Sequence, residues 1–78
     1  MNIGIQVFGE FKEYVKSSDG GKITFDIPEE TNIETLLEKL GISSGYVSVV
    51  LVNGKFASSD IELSQDDQVQ IIPILEGG

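Results

Sequence analysis

Apolar and polar residues alternate from the start of the chain: Ile3, Ile5 and Val7 are spaced by Gly4 and Gln6 and preceded by Asn2. A period of two predicts a strand with one buried face. The period then lengthens. Phe8, Phe11 and Val15 stand at i, i+3 and i+7, which predicts a short helix or helical turn. "KSSDGGK" (16–22) reads as a turn or loop. "KITFDI" alternates again and places Ile23, Phe25 and Ile27 on one face. It pairs with the first strand as a hairpin only if the connection absorbs the helical segment.

"PEETNIETLLEKLG" (28–41) carries the clearest signal. Ile33, Leu36, Leu37 and Leu40 make an apolar stripe at i, i+3, i+4 and i+7, the buried face of an amphipathic helix. Thr31 and Glu34 have capping-box spacing, and Gly41 suits a left-handed C-terminal cap. The helix is therefore expected to run about three turns, from near Thr31 to near Gly41. In "YVSVVLVNGKFA" (46–57), Asn53-Gly54 between two β-prone runs predicts a hairpin. "SSDIELSQDD" (58–67) reads as loop, with one helical turn tucking Ile61 and Leu63 inward. "QVQIIPIL" (68–75) is the last strand. Val69 and Ile71 face the helix there, and Gln68, Gln70, Ile72 and Ile74 share the other face. Strand, strand, helix, strand, strand, strand is the inventory of an α+β β-grasp fold, in which a mixed sheet wraps one helix. The pattern does not fix the strand order.

Length and charge narrow the picture. The 78 residues predict one domain, expected over 1–75, with a tail at 76–78 ending in Gly77-Gly78. The formal net charge is −8, and all five basic residues are lysines. Nucleic acid and anionic membrane surfaces are poor partners for such a chain. A basic protein partner is a good one. There is no cysteine and no histidine, so the commonest nucleophile, general base and metal ligands are missing. No metal site and no bound cofactor are expected. No apolar run reaches the roughly 20 residues of a spanning helix, and the first residues do not read as a signal peptide. The expected location is the cytoplasm.

Taken in order, "VFGEFKEYV", "IPEETNIETLLEKL", "VNGK", "SQDDQVQIIP" and the final "GG" resemble the ubiquitin-like sulfur carrier family over nearly the whole chain. That family includes the small subunit of molybdopterin synthase and the thiamine-pathway sulfur carrier. The "FGEFKEYV" segment leans the resemblance toward the synthase subunit. Leu75-Glu76 is less apolar than the tails associated with it. The resemblance implies a β-grasp fold with the first and last strands paired in parallel at the sheet centre. It also implies a chemistry. A separate E1-like adenylating enzyme, using ATP and Mg, forms an acyl-adenylate on Gly78. A sulfur donor then displaces AMP and leaves a thiocarboxylate. A larger synthase subunit would be the second partner, and the sulfur would go to molybdopterin. Two alternatives stay open: a thiamine-pathway carrier, and a protein modifier joined through Gly78 to lysines. Such a carrier has no active site of its own apart from the Gly78 thiocarboxylate.

The residues themselves suit this reading. Gly77 and Gly78 place no Cβ beside the acyl carbon and let a thin tail thread a channel. Pro73 lacks a donor and is expected to end the ladder pairing. From Ile74 to Gly78 the chain then reaches roughly 16 Å. Ile72 and Ile74 on an open sheet face, with Leu75 and Glu76 beyond them, read as a partner-binding patch, unless Phe8 or the loop around Ile61 covers them. Glu76, Asp66 and Asp67 are expected to frame that patch. As a pair, Asp66-Asp67 is better explained by a turn before a strand than by acid–base or metal chemistry. Glu29 and Glu30 suit the positive end of a helix.

Overall fold

A computed structural model describes residues 1–15 and 20–74. Five strands form one sheet: β1 (Asn2–Val7), β2 (Lys22–Asp26), β3 (Val47–Val52), β4 (Lys55–Phe56) and β5 (Gln68–Pro73). Their spatial order is β2-β1-β5-β3-β4. Only β1 and β5 run parallel, with Ile5 beside Val69 and Val7 beside Ile71. The other pairs are antiparallel. Among the described residues, one helix, α1 (Ile33–Leu40), and two 3-10 turns at Gly9–Glu13 and Ser44–Tyr46 accompany the sheet. This is the expected α+β β-grasp architecture, and the parallel pair of outer-sequence strands lies at its centre.

The two periodicities build the core directly. Ile3, Ile5 and Val7 from β1 and Val69 and Ile71 from β5 are buried against Ile33, Leu36 and Leu37 of α1. Phe11 and Val15 close one end of this core from the 3-10 segment, as their spacing predicts. Ring packing between Phe11 and Tyr14, with centroids 5.8 Å apart and nearly perpendicular, fixes that segment further. The β2 residues Ile23 and Phe25 are half-buried, because β2 is an edge strand.

The helix differs from its sequence pattern at the start. It has eight residues, about two turns. Its N-cap is Asn32, whose side chain accepts from the Thr35 N–H at 2.8 Å. Thr31 does not cap. It is buried, and its hydroxyl donates to the Pro28 carbonyl at 2.7 Å. The expected Thr31–Glu34 box is thus replaced by an asparagine cap one residue later. The reason is tertiary: the Thr31 carbonyl accepts from Leu63 N–H at 2.8 Å, and Ile33 N–H donates to the Ile61 carbonyl at 3.1 Å. These bonds hold Asn32 extended (φ −97°, ψ 175°), so the helix cannot start before it.

They also overturn the helical turn expected at 61–63. That segment is an extended bridge, Asn32 opposite Glu62, and not a helical turn. Leu63 is buried and Ile61 is exposed. At the other helix end the expectation holds. Gly41 is left-handed (φ 76°), its N–H bonds the Glu38 carbonyl, and Ile42 N–H bonds the Leu37 carbonyl. This is a Schellman cap, with buried Ile42 as its apolar partner.

Candidate functional site

The last strand is the central strand of the sheet, flanked by β1 and β3. Its alternation separates two roles. Val69, Ile71 and Pro73 turn inward and are buried. Gln68, Gln70, Ile72 and Ile74 lie on the open face, as the sequence pattern has it.

Pro73 does not stop the pairing. It lies opposite Val47 across a bulge in β3, and Ile74 N–H still donates to the Tyr46 carbonyl at 2.9 Å. Proline costs the ladder only its own donor, so the strand keeps its grip one residue further than expected. Ile74 is therefore held at the end of the sheet while its side chain stays 48% exposed. Leu75, Glu76, Gly77 and Gly78 lie outside the described residues.

Cross-strand register extends the patch beyond the isoleucines. Val49 stands opposite Ile72, Leu51 opposite Gln70, and Phe56 opposite Leu51. Directly opposite residues share a face. The open side of β5, β3 and β4 thus carries Ile72, Val49, Leu51 and Phe56, with Ile74 at its edge. Phe56 is 82% exposed and enlarges the apolar patch on this face. Sequence reasoning named Ile72 and Ile74 and missed Phe56. The "VNGK" hairpin signal held the clue, because a tight two-residue turn fixes the register that places Phe56 beside Leu51. Asn53 and Gly54 both have positive φ (53° and 83°), the geometry such a turn requires.

The loop around Ile61 does not cover this patch. It binds the start of α1 on the other side of the sheet. The remainder of the open face is polar: Gln6, Lys22, Asn53, Gln68 and Gln70 line a shallow depression of about 490 Å³. The open face is therefore split, apolar toward β4 and the end of β5, polar toward β2.

Asp66 and Asp67 do not frame the patch. They precede β5, at the end of the strand opposite Ile74. The six residues of β5 span roughly 20 Å between them. Their task is local. Asp67 accepts from Asn53 Nδ2 at 2.9 Å and from Ser64 N–H at 2.7 Å, while Asn53 Oδ1 accepts from Gln68 N–H at 2.9 Å. Asp66 holds a left-handed turn (φ 68°). Together they tie the β3–β4 hairpin to the start of β5, which is the turn reading of the pair. Among the described residues, no three acidic side chains converge as a metal site, and no helix is long and apolar enough to cross a membrane.

A profile of the ThiS family matches residues 5–78. A search of curated proteins by sequence finds no match. Solved structures share the fold at low identity. SAMP1 from Haloferax volcanii is 16% identical, with a TM-score of 0.74 and 100% of each chain covered. A molybdopterin converting factor subunit 1 from Pyrococcus furiosus, assigned as putative, is 21% identical with a TM-score of 0.72, over 95% of this chain and 98% of that one. Subunits 1 and 2 of the molybdopterin-converting factor from Helicobacter pylori were solved as a complex; the matched chain is 16% identical, with a TM-score of 0.62 and 100% of each chain covered.

Proposed function

The chain belongs to the ThiS family of ubiquitin-like sulfur carriers, and on that premise we propose that it carries sulfur as a thiocarboxylate on Gly78 for molybdopterin synthesis. The observation that carries this reading is the placement of β5. The central strand of the sheet is still bonded to its neighbour at Ile74, four residues before Gly78 and beside an exposed apolar patch. A carrier needs a fixed platform and a reaching end. Held at Ile74, the remaining residues extend roughly 13–16 Å, enough to enter a partner's active site.

The steps follow from the chemistry of a carboxylate. It is a poor electrophile until the E1-like adenylating partner converts it to an acyl-adenylate, releasing pyrophosphate from ATP and using Mg. Sulfur from a donor attacks the acyl carbon, AMP leaves, and a thiocarboxylate remains. Gly77 and Gly78 keep that carbon free of side-chain crowding. A larger synthase subunit then receives the loaded tail, with Ile72, Ile74, Leu75 and Glu76 at the contact. This chain's own residues supply docking and reach; the partners supply the catalytic groups. The work takes place in the cytoplasm, with 1–75 as the platform and 76–78 as the tail.

Two measurements test the proposal. Intact-mass analysis of protein recovered from cells should find a species heavier by sulfur for oxygen, mapped to Gly78. A strain lacking the chain should lose molybdenum cofactor and still grow without added thiamine. A thiamine requirement instead would assign the carrier to the thiazole branch. Isopeptide adducts through Gly78, with no thiocarboxylate under any growth condition, would make the protein a modifier, as the name of the Haloferax small archaeal modifier protein 1 describes that protein.

A further inference from the structure

A second surface lies on the helix side of the sheet, along the outer edge of β3. The strand β3 has six residues, but β4 pairs only with Leu51 and Val52. One more bond, from Ala57 N–H to the Val50 carbonyl at 2.9 Å, ends the contact. Among the described residues no strand lies along the outer edge of Val47–Val49. An open strand edge is a template for another extended segment.

Beneath this open edge lies a cavity of about 290 Å³ between β3 and α1. Ile33, Leu37, Val50 and Ala57 supply its apolar walls, and the hydroxyl-bearing Ser44, Ser48 and Ser59 line it as well. That volume exceeds one leucine or isoleucine side chain. The edge and the cavity are contiguous, so a strand added to Val47–Val49 would place alternate side chains over the cavity.

The helix rim of the cavity is acidic, while Lys55 lies beyond it on β4, opposite Val52. At 100° per residue, Glu34 and Glu38 lie on the helix flank adjoining Leu37, while Lys39 lies on the opposite flank. Both glutamates are exposed. Glu34 is fixed to the rim, since its N–H donates to the carbonyl of Ser59, a cavity-lining residue, at 3.0 Å. No lysine lines the cavity.

We propose that the open edge of β3 is a peptide-docking site, which accepts an extended segment of a protein partner as an added strand. The segment carries one branched apolar residue for the cavity, with lysine or arginine two positions to either side to meet Glu34 and Glu38. Backbone pairing gives the affinity, the cavity selects the apolar residue, and the two glutamates select basic flanks. Val47 lies opposite Pro73, so the site adjoins the end of β5.

The test uses the full-length protein, labelled with 15N, and the probe acetyl-Thr-Lys-Thr-Ile-Thr-Lys-Thr-amide. The control peptide has glutamate in place of lysine. Saturable amide shifts at Val47–Val50, Ile33, Leu37 and Ala57, with at least tenfold weaker binding of the control, are expected. The double variant Glu34→Gln/Glu38→Gln should keep a folded spectrum and lose the preference between peptides. Equal binding of both peptides to the parent, or shifts that map to β2 or to the open face around Phe56, would overturn the proposal. So would concentration-dependent shifts at Val47–Val50 without peptide, which would make a second copy the occupant.

Discussion

Gly9 sits against Pro73 so closely that a Cβ on Gly9 would stand 3.0 Å from the proline Cγ. This contact joins the 3-10 segment to the last inward residue of β5, next to Ile74. Gly9 also has φ +58°, a region that costs other residues roughly 1–2 kcal/mol. Gly9→Ala should lower stability by about 1–3 kcal/mol from strain and crowding together. Gly4 makes the opposite case. A Cβ there would meet the end of the Gln68 side chain, but that side chain is exposed, and its Nε2 makes one long bond, to the Asp66 carbonyl at 3.3 Å. Gly4→Ala should be neutral, or stabilising by up to about 1 kcal/mol. Urea unfolding of the two variants checks the contrast; equal losses would refute it.

The helix start gives a second test. Asn32→Ala should cost roughly 0.5–2 kcal/mol, because it removes the one side-chain acceptor at the N-cap. Glu34→Gln should change stability by no more than about 0.5 kcal/mol, since no capping box forms. Leu36, fully buried under the sheet, sets the scale for the core: Leu36→Ala should cost about 2–5 kcal/mol. Thermal and urea denaturation read all three.

Asp60 gives a pH-dependent test. The Ser58 hydroxyl donates to its carboxylate at 2.7 Å, and that bond, followed by the residue's own N–H, holds the carboxyl below the usual aspartate range. A depressed value stabilises the fold above the pH at which the unfolded carboxyl titrates. The contribution is lost as pH falls through the folded value. The group is fully exposed, so its effect on unfolding is small. Carbon-detected NMR titration should find Asp60 titrating lower than a free aspartate, and Ser58→Ala should move it back up. An unchanged midpoint in Ser58→Ala would assign the shift to another cause.

Phe56 tests the docking face. At 82% exposure it contributes little to the core, so Phe56→Ser should leave stability within about 1 kcal/mol. Adenylation by the partner enzyme should fall by roughly tenfold or more, the scale of an aromatic anchor at an interface. Unaltered adenylation kinetics would remove Phe56 from the interface. Gly77→Val should also stop adenylation, for a different reason: a β-branched side chain stiffens the tail and crowds the acyl carbon.

The elements that read correctly from sequence are those whose signal is local and repeated. Ile3, Ile5 and Val7, or Val69 and Ile71, declare a buried face by alternation alone, and Gly41 declares a cap by its chemistry. The misreadings share one cause. Thr31 and Asn32 are both competent caps, and the choice between them is made by Leu63, which binds the Thr31 carbonyl from a distant part of the chain. Ile61 and Leu63 are similarly apolar, yet only Leu63 is buried, a difference that the local pattern does not contain. Asp66 and Asp67 adjoin β5 in sequence, but they adjoin the end away from Ile74. The inward and outward faces of β5 were legible from its period; the exposure of Phe56 depended on strand pairing, which periodicity does not contain. The parallel neighbour of β1 came from family resemblance, not from the pattern.

The parallel contact of β1 with β5 also sets the order of events in folding. Ile5 and Val69 are neighbours in space, yet nearly the whole chain must be synthesised before they can meet. Contacts of such long sequence separation slow the search and place sheet closure late. Until β5 enters, β1 and β3 have no common neighbour, and the apolar side chains of α1 have no complete surface to cover. During synthesis the unfinished chain is therefore the form most exposed to aggregation and proteolysis. The same strand that completes the hydrophobic core also fixes the starting point of the tail. A chain able to present that tail from a rigid base is thus one whose folding is already complete.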